Sequence, residues 1–211
     1  MKVAHVRALR VAAECAVTLG LVLLLFVAHQ LWWTNRQAQQ TAAREVAALE
    51  RRWAAGRVAT GPAQPYAVLA VPRLRLRAPV AEGVGRADVL DKGYVGHYPG
   101  TAQPGRPGNF ALAGHRTTHG EPFRRLDRLT PGDEVRVETR DAVYTYVVDR
   151  TLPQTAPGDG GVLRPVPRSD VRTAYGYDER GHYLTLTTCT PAYTSTYRLV
   201  VWGKLRSVRL G

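Results

Sequence analysis

Hydrophobic positions are unevenly spread along the 211 residues. Val11 to Leu31 is a run of 21 residues with one formally charged member, Glu14. As a helix it would be about 31 Å long at about 1.5 Å per residue, matching a hydrocarbon core of about 30 Å. The amphipathic rings of Trp32 and Trp33 follow at headgroup level, and Lys2, Arg7 and Arg10 precede the run. The pattern predicts residues 1–10 in the cytoplasm and residues 11–33 as a transmembrane signal anchor. Arg36, Arg44, Arg51 and Arg52 beyond the run weaken the charge asymmetry. A cleaved signal peptide competes, with Lys2 to Arg10 as n-region and Leu19 to Phe26 as h-region. Its exit, however, reads His29, Gln30, Leu31, Trp32, Trp33 rather than small residues. Glu14 sits near the cytoplasmic end, where a carboxylate reaches the interface and costs less than the roughly 2.5–3.5 kcal/mol of a helix centre.

Thr34 to Trp53 has no Gly or Pro, is rich in Ala, Gln, Glu and Arg, and offers a weak apolar face through Ala43, Val46, Ala47 and Leu49 to Ala54. This predicts a stalk helix. Gly56 to Pro65 then holds two Gly and two Pro and reads as a linker, so residues 34–65 form stalk plus linker. From Tyr66 the helical period gives way to short alternating runs bounded by turn residues, the pattern of an all-β barrel or sandwich. Expected strands are Ala67 to Val71, Leu74 to Val80, Phe110 to Ala113, Glu134 to Glu138, Val143 to Val148, Tyr183 to Thr188 and Tyr197 to Trp202. Ala87 to Lys92 and Pro122 to Leu126 suit single helical turns. Leu152 to Asp170 is a long Pro/Gly-rich connection, of a length that is often functional.

The formal net charge is +12. Residues 1–53 carry +4 of it, flanking the span, and residues 54–211 carry +8. Basic residues are not interleaved with aromatics on a recognisable motif, so no nucleic-acid partner is expected; an anionic surface outside the membrane suits the charge better. Of the two cysteines, Cys15 lies in the apolar run and Cys189 near the C-terminus, so neither a disulfide framework nor a zinc cluster is available. Neither a Gly-x-Ser-x-Gly elbow nor a phosphate-cradling Gly loop is present, which excludes those hydrolase and nucleotide-binding templates.

A lone extracytoplasmic cysteine is either buried filler or a working nucleophile. Alternation of Leu184 and Leu186 would bury Thr188 and turn Cys189 to the other face, at a strand end before Pro191. A thiolate attacking an amide needs a proton donor for the leaving amine and a stabiliser for the oxyanion. Arg198 falls nine residues later, on the strand that should return beside Cys189, although a surface ion pair is an equally ordinary use of one arginine among many. His115 ends the apolar run Phe110 to Gly114, whereas His97, His119 and His182 sit in turn-like glycine contexts and are expected to be solvated.

LAGHRTTHG (Leu112 to Gly120), TLTTCTP (Thr185 to Pro191) and the following YRLVVWGKL resemble the sortase family over roughly residues 66 to 205. GHYPGTAQPGRPGNFALAGHR (Gly96 to Arg116) is most similar to the class E housekeeping sortases of high-GC Gram-positive bacteria. The resemblance implies an all-β fold: a closed eight-stranded barrel with short helical turns as the catalytic domain, residues 66–211, behind the transmembrane helix and stalk. It implies Cys189 as nucleophile, His115 as acid/base and Arg198 as the group that orients substrate and supports the oxyanion. Tyr98 and Thr188 become candidate substrate-binding residues, with loop packing against Pro99 as the alternative for Tyr98. The implied reaction cleaves a Leu-Ala-x-Thr-Gly or Leu-Pro-x-Thr-Gly sorting signal between Thr and Gly through a thioester. The acyl group then passes to a peptidoglycan-precursor amine outside the cell. Partners would be secreted proteins bearing that C-terminal signal, the precursor amine and the membrane. Some sortases bind calcium, but Asp159, Asp170, Asp178 and Glu179 are scattered, so no metal or cofactor is expected. With ordinary values near 8.5 for Cys and 6.5 for His, thiol and neutral imidazole would prevail at pH 7.

Three rivals remain to be weighed. An L,D-transpeptidase nucleophile follows Gly, whereas Thr188 precedes Cys189; papain-like enzymes place Cys before His, the reverse of this order. A non-catalytic, membrane-anchored basic module binding anionic wall polymers is compatible with the charge but gives the Cys, His and Arg no task.

Overall fold

Residues Lys2–Ala54 contain no proline and one glycine, Gly20, and run as one 53-residue helix, α1. The computed structural model describes residues 2–57 and 63–211. The expected linker therefore lies partly outside the described residues, as does the side chain of Lys2. The helix stops at Gly56, whose φ of +68° is the left-handed conformation glycine adopts freely and whose N–H turns back to the Trp53 carbonyl at 2.9 Å. Residues 9–30 are exposed on every side, as a lipid-facing helix requires.

The stalk is not a free spacer. Ala38, Ala42, Val46 and Leu49 are buried, a 4-4-3 spacing that lines one face of α1 against the β domain. Leu49 is wholly buried against Val68, and Ala42 packs with Ala81, Val89 and Tyr94. Of the expected apolar face, Val46 and Leu49 are used, but Ala43 is exposed and Ala38 and Ala42 take its place. Small residues there let the backbones approach: a Cβ on Gly93 would come within 2.9 Å of the Ala38 carbonyl oxygen.

Eight strands close into one barrel: β1 (Pro65–Val71), β2 (Leu76–Glu82), β3 (Val95–His97), β4 (Gly108–Ala113), β5 (Glu134–Glu138), β6 (Ala142–Thr155), β7 (His182–Thr190) and β8 (Tyr197–Leu210). The order around the barrel is β1-β2-β3-β4-β7-β8-β6-β5. Pairings β2–β3 and β4–β7 are parallel and the others antiparallel. Alternate residues fill the interior, among them Leu69, Phe110, Leu112, Val137, Tyr146, Leu184, Leu186 and Val201. Single helical turns fall at Leu90–Lys92 and Leu126–Arg128.

The outer faces of β7 and of the first half of β8 are also buried. Tyr183, Val200 and Trp202 pack with Leu152, Val162 and Tyr177, so the long connection after β6 is a cover over the sheet. The function expected of that connection is therefore structural: none of its residues joins the pocket described below. Three of its four carboxylates are committed locally, Asp159 to Thr155, Ser169 and the Asp170 N–H, Asp170 to Arg164, and Asp178 to Arg168. A second correction concerns His97, which is fully buried rather than solvated. It ends β3, a three-residue strand with Gly96 at its centre and Pro99 just beyond it, too short to announce itself. There Tyr66 Oη and Glu82 Oε2 approach Nδ1 at 2.9 and 2.7 Å, and Thr101 Oγ1 approaches Nε2 at 2.9 Å. Burial, reinforced by the Glu82 charge, pushes the Tyr66 hydroxyl far above the usual phenol value.

Candidate active site

Topology alone gathers the chemistry at one rim. β4 and β7 are parallel, with Ala113 opposite Thr187, so the residues after both strands emerge at the same end. His115 follows β4 by two residues, and Cys189 lies two residues beyond Thr187. β8 returns antiparallel and sets Arg198 directly across from Cys189. β3 runs antiparallel to β4, with Gly96 opposite Ala113, which brings the helical turn before β3 and its Asp91 to this rim as well.

These elements surround a cavity of about 500 Å³ whose wall includes Tyr98, His115, Thr188, Cys189 and Arg198, all five residues the sequence singled out. His119 lies beside His115 with ring centroids 5.3 Å apart, half-buried rather than solvated; His182 alone of the glycine-flanked histidines is exposed, as expected. Hydrogen bonds fix the floor: Thr188 Oγ1 donates to the Gly114 carbonyl at 2.8 Å and Thr187 Oγ1 to the Leu112 carbonyl at 3.2 Å. Tyr98 Oη lies 3.1 Å from Thr187 Oγ1, so Tyr98 packs into the pocket wall. Gly114 is required by space, since a Cβ there would meet the Phe123 ring at 2.7 Å. Phe123 in turn donates its N–H to the His115 carbonyl at 3.0 Å, fixing the backbone that carries the imidazole.

Two polar residues complete the site that the sequence did not single out. Asp91 Oδ1 accepts from His115 Nε2 at 2.7 Å and orients the ring. Arg116 donates from one guanidinium nitrogen to the Cys189 carbonyl at 3.2 Å and to Thr190 Oγ1 at 2.9 Å, while another pairs with Asp127 at 3.2 Å. It laces the segment after β4 to the end of β7. Arg116 directly follows the candidate histidine, and that adjacency was the available signal; nothing local marks Asp91, 24 residues upstream of His115.

Charge in the pocket is positive. Arg86, Arg116 and Arg198 share its wall, which suits a thiolate and a developing oxyanion. The Arg198 guanidinium donates to the Ser195 and Tyr197 carbonyls, both at 3.0 Å, and so is anchored to its own strand and loop. Burial lowers the His115 pKa below the ordinary imidazole value and outweighs the hydrogen bond and charge of Asp91, which raise it; His119 and Arg86 lower it further.

A cysteine, an imidazole and a guanidinium at the rim of a closed mixed barrel define a class of cysteine acyl-transfer site. The family model described as Sortase domain matches residues 69–206. Sortase SrtE1 of Streptomyces coelicolor is 46% identical over 210 residues, covering 96% of this chain and 58% of its own length. Sortase SrtE2 of the same organism is 37% identical, covering 94% of this chain and 82% of its own. Among solved structures, that of sortase E1 from S. coelicolor with a tripeptide in the active site superposes with a TM-score of 0.66 at 46% identity, over 72% of this chain and 94% of that one. The chain belongs to the sortase family, and its relatives place it with class E.

Proposed function

We propose that this chain is a membrane-anchored cysteine transpeptidase that acts on a sorting signal of the Leu-Ala-x-Thr-Gly or Leu-Pro-x-Thr-Gly type. The observation that carries the reading is the convergence of Cys189, His115 and Arg198 on one electropositive cavity inside a sortase barrel. The tripeptide held in the active site of the related sortase E1 supports a peptide occupant. Tyr98 and the backbone around Thr188 would contact it.

In the first step the Cys189 thiolate attacks the Thr carbonyl carbon, and the carbonyl electrons move onto oxygen, where Arg198 offers its guanidinium. As the tetrahedral species collapses, the Thr–Gly C–N bond breaks and protonated His115 gives its proton to the leaving Gly amine, leaving a thioester and a neutral imidazole. An incoming peptidoglycan-precursor amine then attacks the thioester. Neutral His115 takes up its proton, the C–S bond breaks, and thiolate and imidazolium are restored. Arg116 and Asp91 are positioning residues here, one holding the two catalytic segments together and the other holding the ring. The N-terminus would face the cytoplasm, with Arg7 and Arg10 before the span, Trp32 and Trp33 at its outer edge, and the barrel outside the cell.

The test uses the full chain in detergent micelles with a Leu-Ala-x-Thr-Gly peptide and a glycine amine. The native protein should give the ligated product and a hydroxylamine-sensitive acyl-enzyme, and Cys189→Ala neither. Cleavage that survived Cys189→Ala would overturn the mechanism. Salt-sensitive retention on wall polymers with no turnover would instead favour the binding-module reading.

A further inference from the structure

Asp91, His115 and His119 form the one cluster of metal-ligating side chains among the described residues whose donor atoms all lie within 4.8 Å of one another. Asp91 Oδ1 is 2.7 Å from His115 Nε2 and 3.6 Å from His119 Nδ1. In a tetrahedral zinc site with bonds of about 2.0–2.2 Å, neighbouring donor atoms are about 3.3 Å apart; the two Asp91 spacings bracket that value, and the two histidine donors lie within 4.8 Å of each other. At 3.6 Å, His119 Nδ1 is too far from the carboxylate for a hydrogen bond; it is shielded from solvent and has no hydrogen-bond partner among the described residues. A buried ring nitrogen 3.6 Å from a carboxylate and without a hydrogen bond is a ligand atom that the fold leaves unspent.

We propose that Asp91, His115 and His119 form an inhibitory site for a divalent transition metal of the zinc type, with a fourth position open to water. Two imidazoles and one carboxylate favour such an ion over calcium or magnesium, which prefer oxygen ligands. Coordination takes the His115 Nε2 lone pair and replaces the hydrogen bond to Asp91, so the ring can no longer cycle a proton between the leaving and attacking amines. Arg86, whose Nε is 3.9 Å from the same Asp91 oxygen, is largely exposed and free to swing aside. The binding stands on the geometry alone; the inhibition rests on the transpeptidase reading above.

The test separates the two. Zinc is titrated calorimetrically into the full-length Cys189→Ala chain in micelles, which removes the thiol as a competing ligand. One ion per chain should bind, at least tenfold more weakly in the double variants that add His119→Ala or Asp91→Asn. Cobalt in place of zinc should give a visible d–d band that those second substitutions abolish. Equal binding in the double variants, or none in Cys189→Ala, would overturn the site. In the native chain, zinc should suppress ligation and a chelator should restore it, while His119→Ala keeps basal turnover and loses at least tenfold of the sensitivity. Undiminished inhibition of His119→Ala would overturn the regulatory claim. Metal binding with no turnover to inhibit would support the site and count against the transpeptidase reading instead.

Discussion

His97 and His115 each place a ring nitrogen 2.7 Å from a carboxylate oxygen, Glu82 for one and Asp91 for the other. They stand near each other in the barrel, His97 opposite Leu112 on the β3–β4 pair and His115 just beyond the end of β4. Their surroundings separate them. His97 is sealed from solvent, its ring against Phe110 and both nitrogens occupied by Tyr66, Glu82, Thr101 and the Ala102 carbonyl. His115 has one nitrogen on Asp91 and a face on the cavity it shares with Cys189. A carboxylate–imidazole pair is therefore not a catalytic dyad by itself. What suits His115 to the proposed role is a ring that opens onto the cavity, and the same pair without that access is a cross-link in the fold.

Substitution should break this symmetry most visibly at the two rings. In His115→Ala, loss of the proposed acid/base group should lower ligation by roughly 10²–10⁴-fold with the melting temperature close to that of the native chain. A turnover rate within threefold of native would remove His115 from the mechanism. In His97→Ala the outcome should invert. Removing a buried ring strands the Tyr66, Glu82 and Thr101 partners and leaves a cavity, which costs about 2–4 kcal/mol of stability, read as a lower denaturant midpoint. The protein that remains folded should turn over at near-native rate. Native stability together with lost activity in His97→Ala would show that it, too, works in the reaction.

The contrast also explains how much could be read from the residues. Strand β5 was legible because alternation in Glu134–Glu138 matches a pleat with one buried face, and β7 because its leucines alternate with threonines, although both of its faces are buried. The candidates Cys189, His115 and Arg198 stood out because each lies at or just beyond the end of a strand. β3 was not, because three residues carry no periodicity; with it went the burial of His97 and the delivery of the expected turn, with its Asp91, to the rim of the cavity. Strands β6 and β8 run to 14 residues each, well past the alternating segments, because they pair with each other along their length while their outer faces are in part solvated and polar. The stalk's docking was half legible. A face of alanines at 38 and 42 looks like ordinary helix-forming composition, and only the close approach of Gly93 and Gly120 shows that small size was the requirement.

The smallest effect sharpens the comparison at the carboxylate. Asp91→Asn removes the hydrogen bond and the charge that raise the His115 pKa and leaves burial, His119 and Arg86, all of which lower it. The His115 pKa should therefore fall further, seen directly as a lower midpoint in the proton NMR titration of its ring. A rise, or no change, would show that Asp91 does not govern the ring. If the donor to the leaving amine is the imidazolium, the variant's acid pool at neutral pH shrinks by the same factor as the shift, and its ligation rate should approach native as pH is lowered. Stability follows with a fixed sign. Above the unfolded value near 6.5 the ring is neutral in both states and contributes no pH dependence. As pH falls below that value the unfolded chain binds the proton first, so the native protein loses stability down to its own depressed pKa, and Asp91→Asn should extend that loss to lower pH. Glu82→Gln, made at the buried histidine, provides the matching control: it should alter stability while leaving the pH dependence of ligation where it was, because His97 has no path to the substrate.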